Sequence, residues 1–328
     1  MRVLSGIQPS GILHLGNYLG ALQQHIALQD EAEEAMYTIV DLHAITLPQD
    51  PEKLRSQTLG VAAMYLALGL DPNRSILFIQ SHVSAHTELG WILTTLATMG
   101  DLERMTQFKE KGRGRERGGV GVGLFAYPTL MAADILLYRP SHVPVGADQV
   151  QHVELARDLA KRFNQRFGET LTVPEPRLKK ETARIMALDD PSVKMSKSAA
   201  SEYNYIALTD DAETIRRKIQ KAVTDSGSTV ELADEKPALK NLLTIFAGVT
   251  DREPTEIAGE FAGKGYADFK AALADAIIAF LGPVQTKYTE LMANDAALVE
   301  LLHAGAERAR PIAEDTLVSV KDRVGFVA

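Results

Sequence analysis

The stretch Arg2-Val3-Leu4-Ser5-Gly6-Ile7-Gln8-Pro9-Ser10-Gly11, with His14-Leu15-Gly16-Asn17-Tyr18 close behind it, decides how the chain is read. Arg2 to Gln8 is a short apolar run that predicts a buried strand, broken at Pro9-Ser10-Gly11. From Asn17 onward Tyr18, Leu19, Leu22 and Ile26 fall three or four residues apart, which is helical spacing. Strand, glycine turn, helix is the opening of an α/β nucleotide-binding unit. There the free N–H groups and positive dipole end of the helix receive phosphate. The turn matches neither G-x-x-x-x-G-K-[ST] nor G-x-G-x-x-G, so the P-loop and dinucleotide readings fail. In their place a His and an Asn flank Gly16, a glycine that lets a ligand approach closely. His14 taken alone is more often a turn residue than a catalytic one.

Moving outward, Ala35 to Val40 is a second apolar strand, and Asp41-Leu42-His43-Ala44-Ile45-Thr46 follows it. Polar residues just past a strand's C-terminal end are where open α/β sheets bind ligands. Residues 52–69 predict a helix and Ser75 to Gln80 a third strand, so the βαβαβ order implies parallel strands with right-handed crossovers. Helices are expected at Ser81 to Ala97, Leu124 to Tyr138 and Val150 to Phe167. Beyond residue 200 no strand pattern competes. Helices are expected at 215–223 and at about 238–248, 254–262, 266–280, 283–304 and 312–323. The fold class expected is therefore α/β: a Rossmann-like parallel-sheet catalytic domain at 1–200, with an inserted stretch at about 103–170, and a helical domain at 201–328. The last helix is expected to return to the first domain.

At 328 residues two domains are the default. No apolar run is long enough to span a bilayer and the N-terminal run is too short and broken for a signal peptide, so a cytoplasmic protein is expected. Without cysteine there is no thiolate nucleophile and no Cys-ligated zinc. The net charge of -8 argues against general coating of nucleic acid, though not against a local basic patch. Two stretches offer one. Residues 112–119 are glycine-rich and basic, either a surface loop or a backbone contact. The helix at 215–223 carries Arg216, Arg217, Lys218 and Lys221, either a solvated face or an RNA contact.

Pro191-Ser192-Val193-Lys194-Met195-Ser196-Lys197-Ser198 fits neither helix nor strand. Asp189-Asp190-Pro191 favours a loop. Two ammonium groups and two hydroxyls beside one apolar anchor, Met195, suit neutralisation of charge on a polyphosphate. Paired with His14-Leu15-Gly16-Asn17, Lys194-Met195-Ser196-Lys197-Ser198 resembles the two ATP-binding motifs of the class I aminoacyl-tRNA synthetases, written HIGH and KMSKS. The first is matched as His-Leu-Gly-Asn, the second in full.

Leu130-Met131-Ala132-Ala133-Asp134-Ile135-Leu136-Leu137-Tyr138 is an almost wholly apolar helix holding one carboxylate. An unpaired buried carboxylate costs several kcal/mol, so Asp134 needs a partner. Arg139 or another basic side chain is one candidate; a ligand's hydrogen-bond donor is the other. An indole, a large apolar ring with one N–H and no acceptor, complements a greasy pocket with one acceptor. Such a site rejects a phenyl ring, which leaves the acceptor unsatisfied.

Gly6 to Gly11, Met105-Thr106-Gln107-Phe108-Lys109, Tyr127 to Tyr138 and Val143-Pro144-Val145-Gly146-Ala147-Asp148-Gln149 together resemble the bacterial tryptophanyl-tRNA synthetases. That resemblance implies that Asp134 holds the indole nitrogen and that Tyr127, Met131, Val143, Val145 and Leu4 line its pocket, with Ser5 and His43 beside it. It implies that Gln149 and Gln8 meet the amino acid's polar end. Gln8, Pro9, Ser10, Gly16, Asn17, Gly146, Ala147, Asp148, Ile185, Lys194, Met195, Ser196, Lys197 and Ser198 are then expected to hold ATP. Lys194, Lys197, His14 and Asn17 are the expected catalytic groups, Mg²⁺ comes on the ATP phosphates, and no metal is held by the protein itself. L-tryptophan, tRNA(Trp) and a second copy in a homodimer are the implied partners, and the helical region is expected to meet the anticodon. His14, Leu4 and Ala147 depart from the pattern, where Thr, an aromatic and an acidic residue are frequent. Tyrosyl-tRNA synthetases share the fold and motifs, but a phenol calls for at least two polar partners. Cofactor-making nucleotidyltransferases with a HIGH-like motif are usually shorter, and a non-catalytic paralogue should have lost motif lysines that are intact here.

Overall fold

The computed structural model describes residues 2–9, 11–106, 121–140, 142–145, 149–178, 184–197, 199 and 201–327. Strand β1 (Arg2–Ile7) leads through the Pro9–Gly11 turn into α1 (15–31), made of Leu15–Asn17, a π-wound turn Tyr18–Leu22 and Gln23–Glu31. Then come β2 (Glu34–Ile39), α2 (Asp41–Ala44), α3 (Pro51–Ala67) and β3 (Ser75–Ile79). The three strands are parallel in the order β1-β2-β3, with Leu4 beside Met36 and Ser5 beside Tyr37. Every β3 residue is buried, as expected of a parallel strand covered on both faces.

Side chains alternate across the sheet. Tyr37, Ile39, Leu77 and Ile79 face a core shared with α1, α3 and the C-terminal helices. Leu4, Met36, Ile76 and Phe78 face a second core. That core is built with α4 (Ala85–Leu96), α5 (Met99–Glu103), α6 (Val122–Leu137) and α7 (Val150–Phe167). Residues 80–82 form one tight turn before α4, so the expected helix starts at Ala85 rather than Ser81. A second parallel pair, β4 (His142–Val145) and β5 (Glu175–Leu178), was not expected from the sequence.

The C-terminal region is helical: α8 (Ala212–Lys221), α9 (Pro237–Thr250), α10 (Pro254–Glu260), α11 (Tyr266–Met292) and α12 (Asp295–Val324). The helices expected at 266–280, 283–304 and 312–323 are in fact two. Pro283 and Pro311 sit inside them. An interior proline removes one backbone bond, and tertiary packing overrides that loss here. The real break falls at Asn294, whose side chain accepts from the Ala297 N–H and caps α12.

The last helix packs on β3 at backbone distance. A Cβ on Gly305 would stand 1.9 Å from the Leu77 carbonyl oxygen, so only glycine fits. Arg308 donates to the carbonyls of Pro72 and Ser75 at 2.6 and 3.1 Å, and Thr316 donates to Leu137 O at 2.7 Å. Among the described residues β3 is an edge of its sheet, and α12 covers it.

Candidate active site

The two motif segments, far apart in sequence, meet at the C-terminal end of β1. Leu15 N–H donates to Ile206 O and Leu208 N–H to Leu13 O, which pins the turn carrying His14 to residues 206–208. The 194–197 segment folds over that turn. Its anchor Met195 is buried, with its N–H donating to Ile185 O, and both side chains belong to the first core. Asn204 fixes Ser196 by accepting from its N–H at 2.9 Å. A Cβ on Gly16 would lie 3.0 Å from His14 Nδ1 and 3.3 Å from Met195 Cβ, which is the close packing that calls for glycine.

Gly11 has φ of +78°, and a Cβ there would stand 2.1 Å from Lys197 Nζ. The ammonium therefore lies directly over the turn, half-buried, with its pKa lowered by burial and by Lys53. Lys194 is exposed. His14 is 6% exposed, and its Nδ1 has no hydrogen-bond partner among the described residues. Burial, then the charges of Lys197 and Lys194, lower its pKa to about 4, so it is a neutral group at pH 7. Asn17 is used locally: its Oδ1 accepts from the His14 N–H at 3.0 Å and closes the first turn of α1. Ser10, Gly146, Ala147, Asp148 and Ser198, expected around ATP, and the basic stretch 112–119 lie outside the described residues.

On the second-core face of the sheet, Asp134 stands on α6 with 5% exposure. Its partner is not Arg139, which pairs with Asp315 at 3.0 Å. Instead Oδ1 accepts from Gln80 Nε2 at 2.7 Å and from His86 Nδ1 at 2.6 Å, and Oδ2 meets His43 Nε2 at 2.7 Å. Burial alone would raise the carboxyl's pKa, but the bonds from His43 and His86 outweigh it and hold the group ionised well below the usual carboxylate range. Gln8 donates to His43 O at 3.1 Å, and the Tyr127 ring stands edge-on to His43 with centroids 6.0 Å apart. The Tyr127 hydroxyl, its pKa pushed up to about 12 by burial, bonds His152 Nε2 at 2.7 Å. His152 is thus a buried partner of the pocket wall. Leu4 and Val143 are buried in the same core, Met131 packs on its margin, and Val145 follows in β4.

Ser5 is placed differently. Alternation along β1 turns it to the opposite face from Asp134, where its Oγ bonds His25 Nε2 at 2.9 Å; His25 Nδ1 in turn meets Tyr65 OH. The basic residues of α8 are largely paired within the chain: Arg216 with Asp275, Lys218 with Asp210 while buried, and Lys221 with the Tyr203 hydroxyl. Gln80 and His86 are the site residues that sequence reasoning missed. Gln80 follows β3 as His43 follows β2, and that shared position at strand C-termini is a signal that could have found it.

A site with one ammonium group over a glycine turn, a second whose charge is felt at His14, and a buried anionic acceptor across the sheet can neutralise a polyphosphate while holding a donor-bearing apolar ring. The comparisons agree with that chemistry. The family described as tRNA synthetases class I (W and Y) matches residues 1–282. The tryptophan–tRNA ligase of Caldanaerobacter subterraneus subsp. tengcongensis is 51% identical over 99% of this chain and 98% of its own length. That of Enterococcus faecalis is 48% identical over 99% and 97%. The tryptophanyl-tRNA synthetase of Campylobacter jejuni complexed with ADP and tryptophan superposes with a TM-score of 0.86 at 39% identity, over 99% of this chain and 100% of that one. With motifs, fold and full-length similarity in agreement, the chain belongs to the class I tRNA synthetases of the tryptophan and tyrosine family.

Proposed function

We propose that the chain is a tryptophan–tRNA ligase. The tryptophan carboxylate attacks the α-phosphate of Mg²⁺-bound ATP, the α–β bridging P–O bond breaks, and pyrophosphate leaves. The adenylate then passes its acyl group to the 3′-terminal ribose of tRNA(Trp), releasing AMP. No side chain acts as nucleophile, so catalysis rests on positioning and charge stabilisation. Lys197, over Gly11, and Lys194 stabilise charge on the departing pyrophosphate. His14, neutral and with a ring nitrogen that has no partner among the described residues, serves as a hydrogen-bonding partner of the nucleotide rather than as a cation. Asn17 keeps that ring's turn in shape. Mg²⁺ belongs to the ATP, and the segment that carries Lys194 and Lys197 opens to release products.

The observation that carries the choice of amino acid is Asp134. It is an ionised acceptor in an apolar wall whose Oδ2 bears only His43 among the described residues. A carboxylate oxygen accepts two donors, so one position remains for the indole N–H. A hydrogen bond to a charged group contributes about 1.5–3 kcal/mol, or roughly 10- to 150-fold in binding. Pyrophosphate exchange into ATP, run separately with tryptophan and tyrosine, tests the reading: exchange with tyrosine overturns the pocket, and exchange with neither overturns the activity.

The same proposal includes a homodimer. Trp91, Met99 and Val122 are 68, 66 and 78% exposed on neighbouring helical elements of the catalytic half, and large exposed apolar groups mark association surfaces. A monomeric mass in solution at working concentration would refute it. No helix among the described residues is long and apolar enough to cross a membrane. The cytoplasm, where charged tRNA is consumed, is the proposed location.

A further inference from the structure

Asp134 stands on α6 and Tyr138 caps its C-terminal end, while Gln80 opens the turn after β3 and His86 lies in the first turn of α4. Gln80, His86 and Tyr138 are wholly buried. A carboxylate only accepts, so His86 Nδ1 carries the hydrogen it gives to Asp134 Oδ1. In the neutral imidazole His86 Nε2 then accepts from the Tyr138 hydroxyl at 2.8 Å, an arrangement that sets both the tautomer and the ring. The imidazole is further held by the rings of Tyr138 and Phe78, with centroids at 5.5 and 6.1 Å. Gln80 Nε2 fills the second position on Oδ1.

The consequence lies in what is left. Oδ1 is saturated by two buried donors, and Oδ2 already holds His43. The carboxylate can turn neither oxygen without breaking a bond in a place water does not reach. We propose that Gln80, His86 and Tyr138 are positioning residues that reduce Asp134 to a single open acceptor position, so that the pocket selects a ring bearing one donor and no acceptor. A phenol also donates, but its oxygen lone pairs would be buried with Gln80, His86 and His43 already committed to the carboxylate. Discrimination against tyrosine then comes from exhausted donors as well as from shape. This inference rests on the assignment of the pocket to tryptophan.

Pyrophosphate exchange with tryptophan, with its isostere carrying benzothiophene in place of indole, and with tyrosine separates the two claims. The wild-type protein should favour tryptophan over the sulfur isostere by about 100-fold in kcat/KM. No preference there would refute the indole assignment itself, before any variant is made. Gln80→Met removes the donor together with Oε1, a buried oxygen that has no partner among the described residues. Losing that unpaired oxygen offsets part of what the carboxylate forfeits with the donor. In Gln80→Met and in Tyr138→Phe the preference should narrow about tenfold and tyrosine exchange should rise, with the KM for ATP within about twofold. A merely structural role would weaken both ligands alike and leave the ratio unchanged. An unchanged ratio in both variants overturns the proposal.

Discussion

Gly11→Ala probes the nucleotide half of the site through a single methyl group. At φ of +78° an L-residue costs about 1–2 kcal/mol of backbone strain. The new Cβ would stand 2.1 Å from Lys197 Nζ and 2.6 Å from its Cδ and Cε. Those atoms are the far end of a flexible side chain, so the lysine yields and the ammonium leaves the turn. Retreating from about 4 to about 6 Å from a phosphate oxygen, at an effective dielectric near 20, forfeits about 1.4 kcal/mol of attraction, a factor of about ten. The expected result is a tenfold drop in kcat/KM for ATP in pyrophosphate exchange, with the KM for tryptophan unchanged. A urea melt should register the strain separately. Lys197→Ala should cost about 100-fold, and adding Gly11→Ala to it should cost little more in exchange, because the methyl group acts through a lysine no longer there. Full additivity of the two exchange defects would refute the coupling, since it would mean the turn works without the ammonium above it.

Asp134→Asn should raise the KM for tryptophan by roughly 10- to 100-fold and spare ATP. Because Asp134's folded pKa lies below its unfolded value, its stabilisation is present above the ordinary carboxylate range and fades as pH falls through and below it. The gap between wild-type and variant urea melts should therefore be constant from pH 6 to 8 and close below about pH 4. His14 behaves as a base hidden from protons: its folded pKa near 4 lies under an unfolded value of 6.5, so its contribution is complete above pH 6.5 and is lost toward pH 4. NMR titration should find no His14 midpoint between pH 6 and 8, and Lys197→Ala should move the midpoint upward. Gly305→Ala should cost about 3 kcal/mol or more in a urea melt, since the atom it strikes is backbone. Trp91, the only tryptophan in the chain, should shift its fluorescence to the blue as protein concentration rises through assembly, and Trp91→Ser should hold the protein monomeric.

What was legible in the sequence is what is local. The strand, glycine turn and helix at the N-terminus declare themselves within thirty residues, and Lys194 to Ser198 is recognisable without its surroundings. β4 and β5 were not legible because each is four residues long and carries a proline, Pro144 and Pro176, which argues against a strand. Pro283 misled in the opposite direction, as a helix breaker that the packed helix α11 absorbs. The need of Asp134 for a partner followed from its apolar neighbours. The partners' identities did not, since they lie 48, 54 and 91 residues away and no periodicity spans such distances. Ser5 was grouped with the pocket by likeness, whereas alternation along β1 from the buried Leu4 places it on the other face.

The seam between α12 and β3 also bears on how the molecule is made. Arg308 reaches back 236 residues to Pro72, and Gly305 presses on a strand finished long before it. During synthesis the sheet that carries both halves of the site is thus assembled with one side uncovered until residues 295–324 emerge. Contacts of such span close late and leave a strand edge exposed meanwhile. The slow step of folding should then be the docking of this helix, and shortening it should yield a chain that binds its substrates poorly and aggregates readily, even though no residue named in the site has been removed.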